Sequence, residues 1–304
     1  MTNHSSEILS RLDTARSLMA DIAELPTVPA VVIRIAGKLN SPDTPVVEIT
    51  DLLLQDQVLS ARVLRLVNSP YYSPSTHLSS LRDAVIYLGM DTLREAVLTC
   101  AIVDLFKNRS STFDRSVIWS HTLAVAKVAK LLCERTGCAD PGNAYLAGLL
   151  HDIGEVFLNF YRSPDFKKVA ELSEAENFTF IDSENALLGT SHSEIGYLLG
   201  SRWQLNDFIL ESILHHHEPL AASPENAVIV AVITISDLFC TMNAIGFEGL
   251  GESNLSRREL EKHYAWEVIG DAPGVGVLDP RKLLEELTGK IDRIRSEADT
   301  LFHI

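Results

Sequence analysis

The chain has 304 residues, 46% of them hydrophobic and 22% charged, which fits a globular protein of one large domain or two. Its formal net charge of −15 excludes a general nucleic-acid binder, because neutralising phosphates takes Lys and Arg. The four cysteines (Cys100, Cys133, Cys138 and Cys240) form no C-x-x-C pair and no disulfide framework, the first residues lack the apolar run of a signal peptide, and the most apolar run, Ala227 to Ile235, is too short to span a bilayer, so a reducing cytoplasm is the expected compartment.

Nearly every segment has helical period, which predicts an all-α fold. In 25–40, Leu25 and Pro26 end one helix and Pro29 is placed to open the next. Residues 57–67 put Val58, Ala61, Leu64 and Val67 on one face, and Asn68-Ser69-Pro70 then stops the helix. Gly89 can turn the chain between two helices. Residues 117–132 repeat the pattern with Val117, Ala124, Val125, Val128, Leu131 and Leu132, and Asp140 is a good N-cap for a helix that begins at Pro141. Residues 204–217 form another helical segment. The β-branched run 228–235 would be a lone strand with no sheet to join, so it is expected to be a buried helix. The stretch 246–254 is the least ordered in composition. A loop at 270–277 precedes an amphipathic last helix at 280–301, which would pack on its own chain or mediate a homodimer. The expected division is an N-terminal helical lobe (1–115), a helical domain (116–245) and a C-terminal helical extension (246–304).

Six of the ten histidines fall between positions 121 and 217: His121, His151, His192, His215, His216 and His217. Asp152 follows His151 directly, and Asp237 lies in apolar surroundings. Imidazole and carboxylate together suit Zn, Mn, Fe or Ni. Burying so many polar groups without partners costs several kcal/mol (about that for each charged one), and one or two divalent ions would remove that cost. Adjacent helical residues point about 100° apart, so His215, His216 and His217 cannot all face one ion from a regular helix. His4, His77, His263 and His303 are ordinary surface or core residues on this reading. Trp119 and Trp203 are core anchors, and Lys127, Lys130, Arg162 and Arg202 are solvated charges.

The N-terminal motifs resemble the HDOD family: Leu25-Pro26 with Pro29, the helix start at Asp56 to Leu59, LRLVNSPYY from Leu64, and AVIYLGMDTLREAVL from Ala84. From His121 onward the order H…HD…H…HH…D is similar to HD-type phosphohydrolases, the superfamily of which HDOD modules are a branch. The resemblance implies metal ligands at His121, His151, Asp152, His192, His216, His217 and Asp237, with His215 spare. Asp152 would bridge two ions. His121, His151 and Asp237 would complete one, and His192 with two of the triple histidines the other. Glu184, Glu194 and Glu218 are candidates to hold the free ring nitrogens.

Three departures argue against robust catalysis. Glu155 stands where HD-GYP phosphodiesterases have the lysine of HDIGK, and a carboxylate there repels an anionic phosphodiester. No G-Y-P follows the triple histidine. Val117 occupies the position of a glutamate found in three-metal relatives. The resemblance therefore implies a bacterial signal-transduction module with a retained metal site, acting through signalling proteins that dock on the N-terminal lobe. The alternative is a metal-dependent phosphohydrolase of nucleotides or cyclic dinucleotides, with Asp152 as the catalytic residue. A weaker third reading is a domain that senses a nucleotide without turning it over. An open cleft with a cation near the phosphate would favour the enzyme, and an acidic or closed cleft with an exposed apolar patch on the N-terminal lobe would favour the module.

Overall fold

A computed structural model describes residues 2–22, 25–26, 53, 57–69, 72, 74, 77–106, 115–176, 178–246 and 255–302. Every regular element among them is helical, and no strand occurs among the described residues. The proline-punctuated segment 27–52, and with it the expected helix start at Pro29, lies outside the described residues, as does 247–254.

Two compact units divide the chain. One comprises Met1–Leu25 and Arg109–Ile291, and the other Pro26–Asn108 and Asp292–Ile304. The smaller unit contains α2 (Gln57–Val67), α3 (Leu81–Leu88) and α4 (Met90–Asp104), which pack on one another. Asn68 ends α2 and fixes the turn after it: its side-chain amide donates to the carbonyls of Leu64 and Leu78 at 2.7 and 2.9 Å, and its oxygen accepts from the Leu78 amide. Gly89, at φ +80°, makes the sharp turn from α3 to α4 that few other residues allow.

The larger unit starts with α1 (Thr2–Ala20) and continues through α5 (Arg115–Thr136), α6 (Pro141–Leu150), α7 (Ile153–Tyr161), α8 (Ser163–Glu176), α9 (Phe180–Leu188), α10 (His192–Arg202), α11 (Asp207–His215) and α12 (Ala227–Met242). Asp140 caps α6 by accepting from the Asn143 amide at 2.8 Å, as its position in the sequence suggests. Helices α5 and α6 pack along their length, because a Cβ on Gly148 would come within 2.7 Å of the Ala126 Cα. The β-branched run is helical, as expected: α12 is buried on almost every side from Ile229 to Phe239 and packs on α5, α6 and α11. Helix α5 is also apolar enough and long enough to cross a bilayer, but 67% of its most apolar window is buried inside the protein. Trp119 and Trp203 are buried core residues.

The C-terminal segment differs from the single last helix expected at 280–301. Short helices α13 (Arg257–Glu261) and α14 (Ala265–Gly270) are followed by two separate ones, α15 (Pro280–Thr288) and α16 (Ile291–Phe302). Gly289 and Lys290 break the run: glycine is a poor helix interior residue, and the Lys290 amide bonds to Leu287, three residues back. Amphipathic period carries across such a two-residue turn, so the pattern alone does not show it.

Candidate metal centre

His151 and Asp152 occupy the junction between α6 and α7. Asp152 has φ −100° and ψ 22°, outside regular helix, and its carbonyl starts α7 by accepting from Glu155 and Val156. Its side chain makes no capping bond, so the carboxylate is left to face inward. His121 comes from the middle of α5 and Asp237 from α12. His192 is the first residue of α10, whose N-terminus is fixed by a capping box of Ser191 and Glu194. Helix α11 ends at His215; His216 keeps helical dihedrals as its C-cap (φ −64°, ψ −21°) and His217 follows in a turn, with the two ring centres 4.0 Å apart.

All seven residues implied by the resemblance converge. His121, His151 and Asp237 form one group of donor atoms within 4.8 Å of each other; His192, His216 and His217 form a second; His151, Asp152 and His216 connect them. Asp152 lies between: its Oδ2 is 3.0 Å from His151 Nε2 and 3.5 Å from His121 Nε2, and its Oδ1 is 3.4 Å from His216 Nε2 and 3.7 Å from His192 Nε2. His215 belongs to none of these groups.

Each of four histidines is held through Nδ1, which donates to a fixed acceptor. His121 donates to the Ile245 carbonyl at 2.8 Å, His151 to Gly148 at 2.7 Å, His216 to Ile213 at 2.9 Å, and His192 to Glu184 Oε2 at 2.6 Å. A neutral ring so held presents a lone pair at Nε2. Acceptors then face acceptors: His121 Nε2 lies 3.0 Å from Asp237 Oδ1, and the Nε2 atoms of His192 and His216 lie 3.4 Å apart. His151 Nε2, fully buried, lies 3.0 Å from Asp152 Oδ2 but forms no well-aligned hydrogen bond. Either ring protons or a cation must relieve this crowding of lone pairs. The donor set fits a divalent cation, and the buried His/Asp group could hold one.

The electrostatics come from the same contacts. Burial opposes charge on His121, yet Asp237 and Asp152 outweigh it and lift its pKa to about 10. Burial likewise opposes charge on His192, and Glu184 with Asp152 raises it to about 10. Burial favours the neutral carboxyl in Asp152 and Asp237, but the adjacent histidines hold both well below the usual carboxylate range. His216 is lowered by burial, and His217 by burial and the His216 ring beside it. Burial and the Asp152 carboxylate push Glu155 up to about 8.

Of the three acids proposed as backing groups, Glu184 fills that role. It is fully buried, and its Oε2 accepts from both the backbone amide (3.0 Å) and Nδ1 of His192. Glu194 instead closes the α10 cap and pairs with Arg11 of α1 at 3.1 Å, while Glu218 is exposed. Gly154 is a residue that sequence reasoning missed. A Cβ there would sit 1.9 Å from the His192 carbonyl oxygen, so the glycine lets α7 and α10 bring Asp152 and His192 together. The glycine of the His151 to Glu155 stretch was a visible signal, but its purpose is set by a helix 38 positions away.

A small, partly open cleft of about 70 Å³ lies at the centre. Asp152, Glu155, His121, His192, His217 and Asp237 line it together with Phe180, Ile181, Thr241 and Ile245, and no Lys or Arg is among its described lining residues. Lys130 pairs with Glu134, Arg162 pairs with Asp165, and Arg202 lines a different cavity.

The comparisons agree with this architecture. The chain is similar to an HDOD domain protein of unknown function from Geobacter sulfurreducens, with 50% identity, a TM-score of 0.90, and coverage of 98% of this chain and 100% of that one. A protein described as a candidate phosphohydrolase from Shewanella amazonensis SB2B is 26% identical, with a TM-score of 0.69 and coverage of 97% and 98%. A protein of unassigned activity from Treponema pallidum (strain Nichols) is 24% identical over 225 residues, 74% of this chain; the chain spans 44% of that relative's length. The model of the HDOD domain matches residues 25–219, about two thirds of the sequence and most of the ligand set. The chain belongs to the HDOD family.

Proposed function

We propose that this protein is an HDOD signal-transduction module that holds one or two divalent ions, of Fe, Mn, Zn or Ni type, in a structural or regulatory centre, and that it acts through protein partners. The observation that carries the reading is the combination of a complete, backed ligand set with a cleft lined by carboxylates and by no described Lys or Arg. Glu155 is one more acid in that lining, where a phosphodiester hydrolase needs a cation. His121, His151 and Asp237 would hold one ion, His192, His216 and His217 the other, and Asp152 would touch both. An ion bound here would supply a fixed positive charge that locks five helices of the larger unit together. An exposed apolar feature on the smaller unit supports partner docking: Ile86 is 75% exposed and Tyr87 46%, next to a shallow groove with His77, Leu78 and Asp83.

A second reading is a metal-dependent phosphohydrolase acting on a nucleotide or cyclic dinucleotide. The open side of the cleft and the likeness to the Shewanella protein favour it. The chemistry a divalent pair supplies is polarisation of a phosphoryl group and hydroxide near neutral pH. The two readings are separated by assaying metal-loaded protein and Asp152→Ala against a generic phosphodiester and cyclic dinucleotides. Metal without turnover is expected. Turnover in the wild type, lost in the variant, would overturn the regulatory reading.

A further inference from the structure

The C-terminus of α5 carries a feature that the metal centre does not use. Cys133 and Cys138 have their sulfurs 3.9 Å apart, within thiol hydrogen-bond distance. Cys133 is buried in the last turn of the helix. Gly137, at φ +69°, turns the chain back, and its amide caps the Cys133 carbonyl at 2.8 Å. That turn returns Cys138 beside Cys133, half-buried and therefore reachable from solvent. Thr136 Oγ1 accepts from the Cys138 amide and helps to hold the loop. The pair stands about 18 Å along α5 from His121, at 1.5 Å per residue, so its chemistry is separate from the ligand set.

We infer that Cys133 and Cys138 are an oxidisable dithiol, with Cys138 as the thiol that meets a peroxide and Cys133 as the thiol that resolves it. The Cys138 thiolate attacks one oxygen of hydrogen peroxide, the O–O bond breaks, and with one proton taken up the products are a sulfenic acid and water. The Cys133 sulfur then attacks the Cys138 sulfur, the S–OH bond breaks, and the hydroxide leaves with the Cys133 proton as a second water. In sum, two thiols are oxidised to one disulfide and one peroxide is reduced to two waters. The hydrogen bond from the Cys133 S–H is the main cause that holds Cys138 down at about 7 against the opposing effect of burial, whereas burial pushes Cys100 up to about 12 and Cys240 well above its ordinary value.

The test treats the full chain with hydrogen peroxide, blocks remaining thiols, and maps the peptides by mass spectrometry. The expected result is loss of two hydrogens confined to the peptide spanning 133–138, reversed by a dithiol reductant. Cys138 should also alkylate roughly tenfold faster than Cys100 or Cys240 at neutral pH. In Cys133→Ser the sulfenic acid on Cys138 should persist and be trapped by a carbon nucleophile. In Cys138→Ser, Cys133 should stay reduced. Oxidation of Cys138 to the sulfinic acid with Cys133 still a free thiol, or Cys100 or Cys240 reacting first, would overturn the proposal. So would two unreacted thiols at a peroxide level that oxidises a free cysteine control.

Discussion

The backbone of α7 meets that of α10 at Gly154 and His192, where a single added methyl would lie 1.9 Å from the His192 carbonyl oxygen. Backbone cannot yield as a flexible side chain does. Gly154→Ala is therefore expected to push α10 away from α7, at a cost of about 2–3 kcal/mol. Thermal unfolding should show a clear drop in Tm, and the folded fraction should bind metal weakly because His192 has moved from Asp152. A variant with unchanged Tm and unchanged metal content would contradict this role.

Glu184 fixes the ring of His192 through one carboxylate oxygen, which accepts two N–H bonds. Glu184→Ala should lower metal affinity by ~10- to 100-fold, in line with loss of a group that orients a ligand. Glu184→Gln keeps an oxygen acceptor and should retain more of the affinity. Titration with a competing chelator distinguishes them. Equal losses in both variants would mean that the negative charge, and not the orientation, is what matters.

Much of this centre is legible in the sequence, because His and Asp types, their order and the adjacent pairs His151-Asp152 and His216-His217 restrict the chemistry strongly. The helical state of α12 is legible too, since an isolated strand among helices has no partner. Other parts depend on contacts between distant positions. Glu184 could not be separated from Glu194 and Glu218 until the turn at Gly189, φ +68°, placed the end of α9 beside the start of α10. Gly154 matters because of a backbone 38 positions away. The break at Gly289 and Lys290 is hidden because both flanking helices keep their amphipathic faces.

The pH response of the metal-free protein has a definite sign. His121 and His192 have folded pKa values of about 10 against an ordinary 6.5. Raised imidazoles stabilise the fold while protonated, so their contribution is full below pH 6.5 and is lost as the pH rises through 10. Glu155, raised to about 8 from 4.5, acts in the same direction, because its ionisation above pH 4.5 is disfavoured in the fold. The Tm of chelator-treated protein should thus fall from pH 6.5 toward pH 10. Metal must displace the protons on His121 and His192, so binding near pH 7.5 should release about two protons per chain, and the metal-induced gain in Tm should be larger at pH 8 than at pH 6. Calorimetry in two buffers of different ionisation enthalpy measures the release. A gain in Tm independent of pH would show that these rings are not ligands.

Glu155 is a third acid beside Asp152 and Asp237 in the cleft, and it ionises only as the pH approaches 8. Glu155→Lys puts a cation beside the centre and is expected to tighten inorganic phosphate binding to metal-loaded protein by at least about tenfold. Calorimetric titration checks this. Unchanged phosphate affinity would remove the electrostatic argument for a regulatory centre and strengthen the hydrolase reading.

The proposed function stands on a His/Asp centre that holds metal through Asp152. Elemental analysis of protein purified without a metal-affinity tag, wild type beside Asp152→Ala, tests it most directly. One or two divalent ions per wild-type chain, absent from a variant that remains folded, is the predicted result. A wild type that carries no metal and takes up none on incubation with Fe, Mn, Zn or Ni would contradict it.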